Sequence, residues 1–291
     1  MPPKLYKYRA FDVHALDLVA NHRVSYSDPR RFNDPLDCNP TIVVDCGTAS
    51  LEKLLSAMVH DVGSVSEIIS NARYLSTDPG DKSSLTDAER NEAYSQILTS
   101  RIKDLIRAEM SRNGVFVLAE RWDCPLMWSH YGDEHRGICV EFDTVHKNCR
   151  QLKKINYESS GIIKTSELYL WKIENSKLAK EQVFDTYFFT KSKDWQYERE
   201  WRDINEQSGV QFSPFLISAV YFGMRCDFVV VSTMVKLLCD SDSPINFYSV
   251  RAKGDVLGLA KDEVNVGEVK AFALQTPAWW DFRDVAWDEP T

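Results

Sequence analysis

The hydrophobic period of this chain changes at Asn113-Gly114, and that change restricts the folds open to it. Before it, residues 48–112 read as mainly helical. Thr86 and Glu89 form the T-D-A-E pattern of a capping box, and Ile97, Ile102, Leu105, Ile106 and Met110 recur at broadly helical spacing. Asn113-Gly114 supplies a stop. After it come strand-like runs: GVFVLAE, GICVEFD and KKINY, then ISAVYFG (217–223), INFYSVRA (245–252) and VKAFAL (269–274). LYKYR (5–9) and VSYS (24–27) read as earlier strands flanking a short helix in FDVHALDLVANHR. Residues 179–191 read as a helix with Val183, Phe184, Tyr187 and Phe188 on its apolar side, and CDFVVVSTMVKLLCD as a helix between two late strands. The Asp-Pro pairs of DPRRFNDPLD argue against regular structure there, and TDPGDKSS (77–84) reads as a flexible loop. Strands mixed with one helical run predict a single α+β domain over 1–291, with a helical insertion at about 48–112.

Three segments concentrate side-chain chemistry. In KSKDWQYEREWRDI (191–204), alternation places Glu198, Glu200 and Arg202 on one face of a strand. Two carboxylates that close, walled by Trp195, Tyr197 and Trp201, can bind a ribose hydroxyl or stabilise a cation that develops during bond cleavage. The same alternation also describes a solvent face of cross-strand ion pairs, and both readings stand at this point. In CPLMWSHYGDEHRGICVEFD, the residues Trp128, Ser129, His130 and Tyr131 precede a strand. No G-x-S-x-G elbow accompanies the Ser-His pair, and Cys124, His130, His135 and Cys139 do not have a zinc-finger spacing. Trp128 and Tyr131 also suit a core role if their polar tips find partners. In the third segment, Arg9 ends a strand where it could hold a phosphate, and Asn33 and Asp34 lie in a loop fixed by Pro35 that also suits an Asx-turn.

The balance of charges limits the function further. A formal net charge of −8 and a pI near 5.4 give no bulk attraction to nucleic acid or anionic membrane. Seven scattered cysteines without a CxxC, no apolar run near 18 residues and the polar start MPPKLYKYRAF predict reduced thiols in a cytoplasmic protein without a membrane partner. The tail WWDFRDVAWD (279–288) suits a core edge, or a contact with a protein partner or a second copy. Walker, GxGxxG, HExxH and kinase signatures are absent from the sequence.

Taken in order, LYKYR, Phe32-Asn33-Asp34-Pro35 with Asp37, Met127-Trp128-Ser129-His130-Tyr131 with GICVEF, and WQYEREWR resemble an uncharacterised bacterial family, domain of unknown function 2971 (DUF2971), from residue 5 to roughly residue 225. More distantly the layout resembles the ADP-ribosyltransferase superfamily. That resemblance implies a mixed, mainly antiparallel central sheet and NAD as substrate, with no metal. It implies Glu200, Glu198 and Tyr131 as the catalytic set, with Glu198 orienting the acceptor and Tyr131 or Trp128 stacking on nicotinamide. Arg9 would pair with the pyrophosphate, with Tyr8, Asn33, Asp34, Ser129 and His130 around the cofactor. The acceptor would be a macromolecule, nucleic acid or protein, in a bacterial toxin or anti-phage defence effector. Two other classes stay open: a magnesium-dependent nuclease built on Asp34, Asp37, Glu198 and Glu200, and a non-catalytic sensor of a nucleotide or phage component.

Overall fold

The computed structural model describes every residue except 60, 78–85, 146–151, 242–243, 255 and 274–291. In chain order the elements are β1 (Lys4–Arg9), α1 (Val13–Asn21), β2 (Arg23–Tyr26), β3 (Thr41–Val43), α2 (Thr48–Met58), α3 (Val62–Thr77) and α4 (Asp87–Met110). Then follow β4 (Gly114–Ala119), α5 (Pro125–Tyr131), β5 (Ile138–Asp143), β6 (Lys153–Lys154), β7 (Ile162–Lys164), α6 (Thr165–Lys172) and α7 (Lys177–Phe188). The last are β8 (Glu200–Asn205), β9 (Gly209–Phe212), β10 (Leu216–Phe222), α8 (Phe228–Leu238), β11 (Asn246–Ala252), β12 (Leu259–Glu263) and α9 (Val266–Ala273). This is a mixed α+β chain whose strand pairings are mostly antiparallel. Its residues gather into two compact units, each discontinuous in sequence: Met1–Val24, Ala119–Arg150 and Phe212–Thr291 form the first, Ser25–Leu118 and Gln151–Gln211 the second.

In the first unit the strand order is β12-β11-β10-β5-β1. Every neighbouring pair is antiparallel except β10 and β11, whose parallel pairing requires the crossover that α8 supplies. Asp227 starts α8 by accepting the Val229 N–H at 2.8 Å, and Asp12 starts α1 by accepting that of Ala15 at 2.8 Å. The β5 strand is central: Ile138, Val140 and Phe142 are fully buried on one face, and Cys139 and the Glu141 carboxylate are buried on the other. Gly137, just before it, lies so close to β1 that a β-carbon there would sit 2.3 Å from the Arg9 carbonyl oxygen.

The second unit is built on helices. The capping box at Thr86 and Glu89 forms as its sequence pattern predicts, and Leu98, Ile102, Ile106 and Met110 of α4 face a core shared with Leu51, Leu54 and Leu55 of α2 and with Leu168, Val183, Tyr187 and Phe188 of α6 and α7. Beside these helices lie the strands β4-β8-β6 and a parallel β3–β7 pair.

Several expectations need correction. VKAFAL does not form a strand: through Ala273 it belongs to α9, because Asn265 accepts the Glu268 N–H at 3.2 Å and starts a helix. DPRRFNDPLD holds a 3-10 turn at Pro29–Arg31, since the Asp28 side chain accepts the Arg30 N–H and the proline pre-sets the first turn position. The helix expected to reach 191 ends at Phe188, and a 3-10 helix over Lys193–Glu198 follows. The expected loop after Thr77 and the tail 279–288 lie outside the described residues. Among the described residues the cysteines are free thiols, and no helix is long and apolar enough to cross a membrane.

Candidate functional site

Glu198 and Glu200 are brought together, but not on one strand face. Ser192 caps the 3-10 helix that ends at Glu198, Arg199 takes a left-handed conformation (φ 47°) that turns the chain, and β8 begins only at Glu200. Alternation therefore holds from Glu200 onward, where Glu200 and Arg202 point inward, both fully buried. Glu198 reaches the same place from the turn and is also buried.

The two carboxylates meet at Lys191. Its Nζ lies 2.6 Å from Glu198 Oε2, 3.0 Å from Glu200 Oε2 and 3.4 Å from Asp37 Oδ2. Arg202 closes the cluster from the other side. Its Nε donates to Glu200 Oε1, its Nη2 to Asp37 Oδ2 at 2.6 Å, and its Nη1 to the Phe188 carbonyl at 2.8 Å and Cys38 Sγ at 3.2 Å. Tyr157 Oη accepts the Glu200 N–H at 2.9 Å. Three carboxylates against two cations leave one net negative charge in a buried space.

Each charge is held by the others. Burial pushes the Glu200 carboxyl up, but the Arg202 and Lys191 charges and their hydrogen bonds outweigh it and hold it at about 2. Burial works to lower Lys191, while Glu200, Asp37 and Glu198 together raise it well above the ordinary lysine range; Arg202 is raised on the same grounds. Glu200, Lys191 and Arg202 therefore stay charged across the neutral range. One oxygen remains over: Asp37 Oδ1 is buried without a hydrogen-bond partner among the described residues.

Beside the cluster, still within the second unit, is a cavity of about 420 Å³. Lys191 and Cys38 belong to its wall, together with Tyr157, Thr190, Ser192 and Lys193. Glu198 and Glu200 stand behind Lys191 and are not part of the lining. The wall thus presents hydroxyls and lysines, which suits an anionic, hydroxyl-bearing ligand.

The remaining candidates divide between the units. Asp34 makes the Asx-turn, its Oδ1 accepting the Leu36 N–H at 2.9 Å, and Asn33 is exposed beside it. Their neighbour Asp37, not they, joins the cluster. In the first unit Tyr8 is buried, donates to the Arg121 carbonyl at 2.7 Å and meets Trp128 edge-on with ring centroids 5.2 Å apart. Trp128 is fully buried, donates to the Trp122 carbonyl at 2.7 Å and stacks on His135. Stacking of Trp128 on a nicotinamide ring is therefore a correction: its faces are spent on the core. Arg9 donates to Asp12 at 3.3 Å while its buried Nε has no partner among the described residues, and burial lowers its pKa. Ser129 and His130 are exposed on α5, and Tyr131 is half-buried at its end. Cys139 lies fully buried within β5, where burial pushes its thiol far up, so it is no ligand for the C-x5-H-x4-H-x3-C spacing.

Lys191, Arg202, Asp37 and Cys38 were not assigned by the transferase resemblance. Arg202 carried a signal, since it shares its parity with Glu200. Lys191 carried none, because it follows a helix end and a 3-10 helix separates it from the glutamates it binds.

The family model described as a protein of unknown function, DUF2971, matches residues 127–202. The family resemblance read from the sequence is thereby supported over the segment that runs from α5 to Arg202 and contains Lys191, Glu198 and Glu200. No curated protein and no solved structure matches the chain.

Proposed function

We propose that the cavity beside Lys191 binds a phosphate-bearing nucleotide, with NAD as the ligand suggested by the distant ADP-ribosyltransferase resemblance. The observation that carries this reading is the inner wall of the cavity: an ammonium fixed by three carboxylates, next to Lys193 and a set of hydroxyls. The exposed Lys193 would meet phosphate oxygens, and the Thr190, Ser192 and Tyr157 hydroxyls would meet ribose.

A second reading adds cleavage, and the ionised state of Glu200 favours it. Breaking the ribose–nicotinamide bond sends the bonding pair to the nicotinamide nitrogen and leaves an oxocarbenium-like ribose, which an acceptor nucleophile or water attacks with loss of its proton. A nearby ionised carboxylate stabilises that charge. Both Glu200 oxygens are engaged, by Arg202 and by Lys191, so in this reading the entering substrate draws Lys191 off Glu200. A magnesium-nuclease reading is less favoured, because Lys191 and Arg202 hold the space among Asp37, Glu198 and Glu200 where an ion would sit, and Asp34 is turned to its own backbone.

Nicotinamide release from NAD, followed in wild type and Glu200→Gln with and without a chelator, separates the readings. Release that survives chelation and disappears in the variant supports the transferase class. Binding without release supports the sensor, and release that requires a divalent ion contradicts both.

A further inference from the structure

The first unit holds a second constellation, separate from the reading above and independent of it. Tyr221 of β10 and Tyr248 of β11 are direct partners in the parallel ladder, so their side chains share one sheet face. Their ring centroids lie 5.0 Å apart. Trp122 stacks on Tyr221 at 5.2 Å with an interplanar angle of 19°, and its own backbone is tied down by the hydrogen bond from Trp128. Tyr6 meets Tyr221 edge-on from β1. Behind the rings, Tyr221 donates to Glu141 Oε2 at 2.7 Å, and Lys4 lies 3.3 Å from the other oxygen of that carboxylate.

Into this arrangement the chain inserts Lys261, from β12. Its Nζ lies 3.6 Å from the Tyr248 ring centroid, 4.7 Å from that of Tyr221 and 5.6 Å from that of Trp122. Three aromatic rings around one cation, with a carboxylate behind them, make a site that attracts positive charge through ring quadrupoles rather than through hydrogen-bond acceptors. A primary ammonium suits such a site poorly. It carries three N–H donors, and the acceptor it finds here is Tyr221 Oη at 3.0 Å. Burial accordingly lowers the Lys261 pKa, only partly offset by the charge of Glu141. A cation without N–H groups would gain the same ring attraction and lose no hydrogen bonds.

We propose that Trp122, Tyr221 and Tyr248 form a binding site for a quaternary organic cation, and that Lys261 is a tethered occupant which the ligand displaces. The lysine ammonium stands in for the ligand's cationic head. Because Lys261 is part-exposed and sits on a flexible stem, it can withdraw without disturbing the ladder. Its occupancy reduces the fraction of molecules ready to bind and weakens apparent affinity by that fraction.

The test uses the full-length chain with choline as probe and 3,3-dimethylbutanol as its uncharged isostere, by titration calorimetry. Lys261→Ala empties the cage and Lys261→Met fills it with a neutral side chain; neither alters the sheet hydrogen bonds. The expected result is choline binding to Lys261→Ala at least roughly tenfold tighter than to wild type, loss of that binding in Lys261→Met, and at least roughly tenfold weaker binding of the isostere. Failure of folded Lys261→Ala to bind choline overturns the proposal. So does equal binding of the uncharged isostere, or choline binding that Lys261→Met leaves unchanged.

Discussion

Arg202 and Asp37, 165 positions apart in sequence, form a buried 2.6 Å ion pair, and this pair ties β8 to the loop after Pro35. A buried pair of this kind adds little net stability over a well-packed apolar alternative, but its loss is costly because it strands the remaining charge. Arg202→Met leaves Asp37 and Glu200 with Lys191 alone. The expected loss is about 3–5 kcal/mol of unfolding free energy, read as a lower urea midpoint with an unchanged m value. A change near zero would mean that the cluster is open to water.

Glu200 gives the protein an acid limit. Its folded pKa of about 2 lies below the ordinary 4.5 of a glutamate, so the stability it contributes is fully present above the unfolded value and is lost as pH falls through the folded one. Unfolding free energy should therefore decline between about pH 5 and pH 2 by on the order of a few kcal/mol. Glu200→Gln should be less stable at neutral pH and show a shallower decline. Equal slopes in the two proteins would contradict the assignment.

Tyr157 is the acceptor for the Glu200 N–H. Tyr157→Phe keeps the ring and removes that acceptor, leaving a buried donor unsatisfied, and should cost about 1–3 kcal/mol in a chemical melt. The same hydroxyl borders the cavity, so nucleotide affinity should fall alongside stability.

Gly137→Ala tests the packing of β5 against β1. The added carbon would lie 2.3 Å from the Arg9 carbonyl oxygen, a contact with backbone that no rotamer can relieve. Overpacking of this kind should cost about 1–3 kcal/mol, measured as a lower Tm, whereas an unchanged Tm would show that the strand end can give way.

The sequence was legible where local chemistry alone decides the outcome. The capping box at Thr86, the crossover helix after Asp227 and the alternation from Glu200 to Arg202 each depend on residues within a few positions, and each forms. It was not legible where a single backbone conformation redirects the chain. Arg199 in the left-handed region separates Glu198 from the strand, which no spacing rule for E-x-E anticipates. The partners of the carboxylates were hidden for a related reason: Lys191 follows a helix end and Asp37 follows an Asx-turn, so only the tertiary fold brings them within 3.4 Å. Trp128 looked like a ligand platform because sequence alone does not distinguish a buried indole from an exposed one; the hydrogen bond to the Trp122 carbonyl is what lets it be core.

The most direct test of the cavity reading is titration of NAD and ADP-ribose into wild type and Ser160→Trp, in which an exposed residue of the cavity wall gains a bulky side chain that obstructs the space. Saturable binding of both ligands to wild type, with nicotinamide alone failing to bind and Ser160→Trp folded but unable to bind, is the predicted result. Absence of binding to wild type, or binding that Ser160→Trp leaves intact, would contradict the claim that this cavity is a nucleotide site.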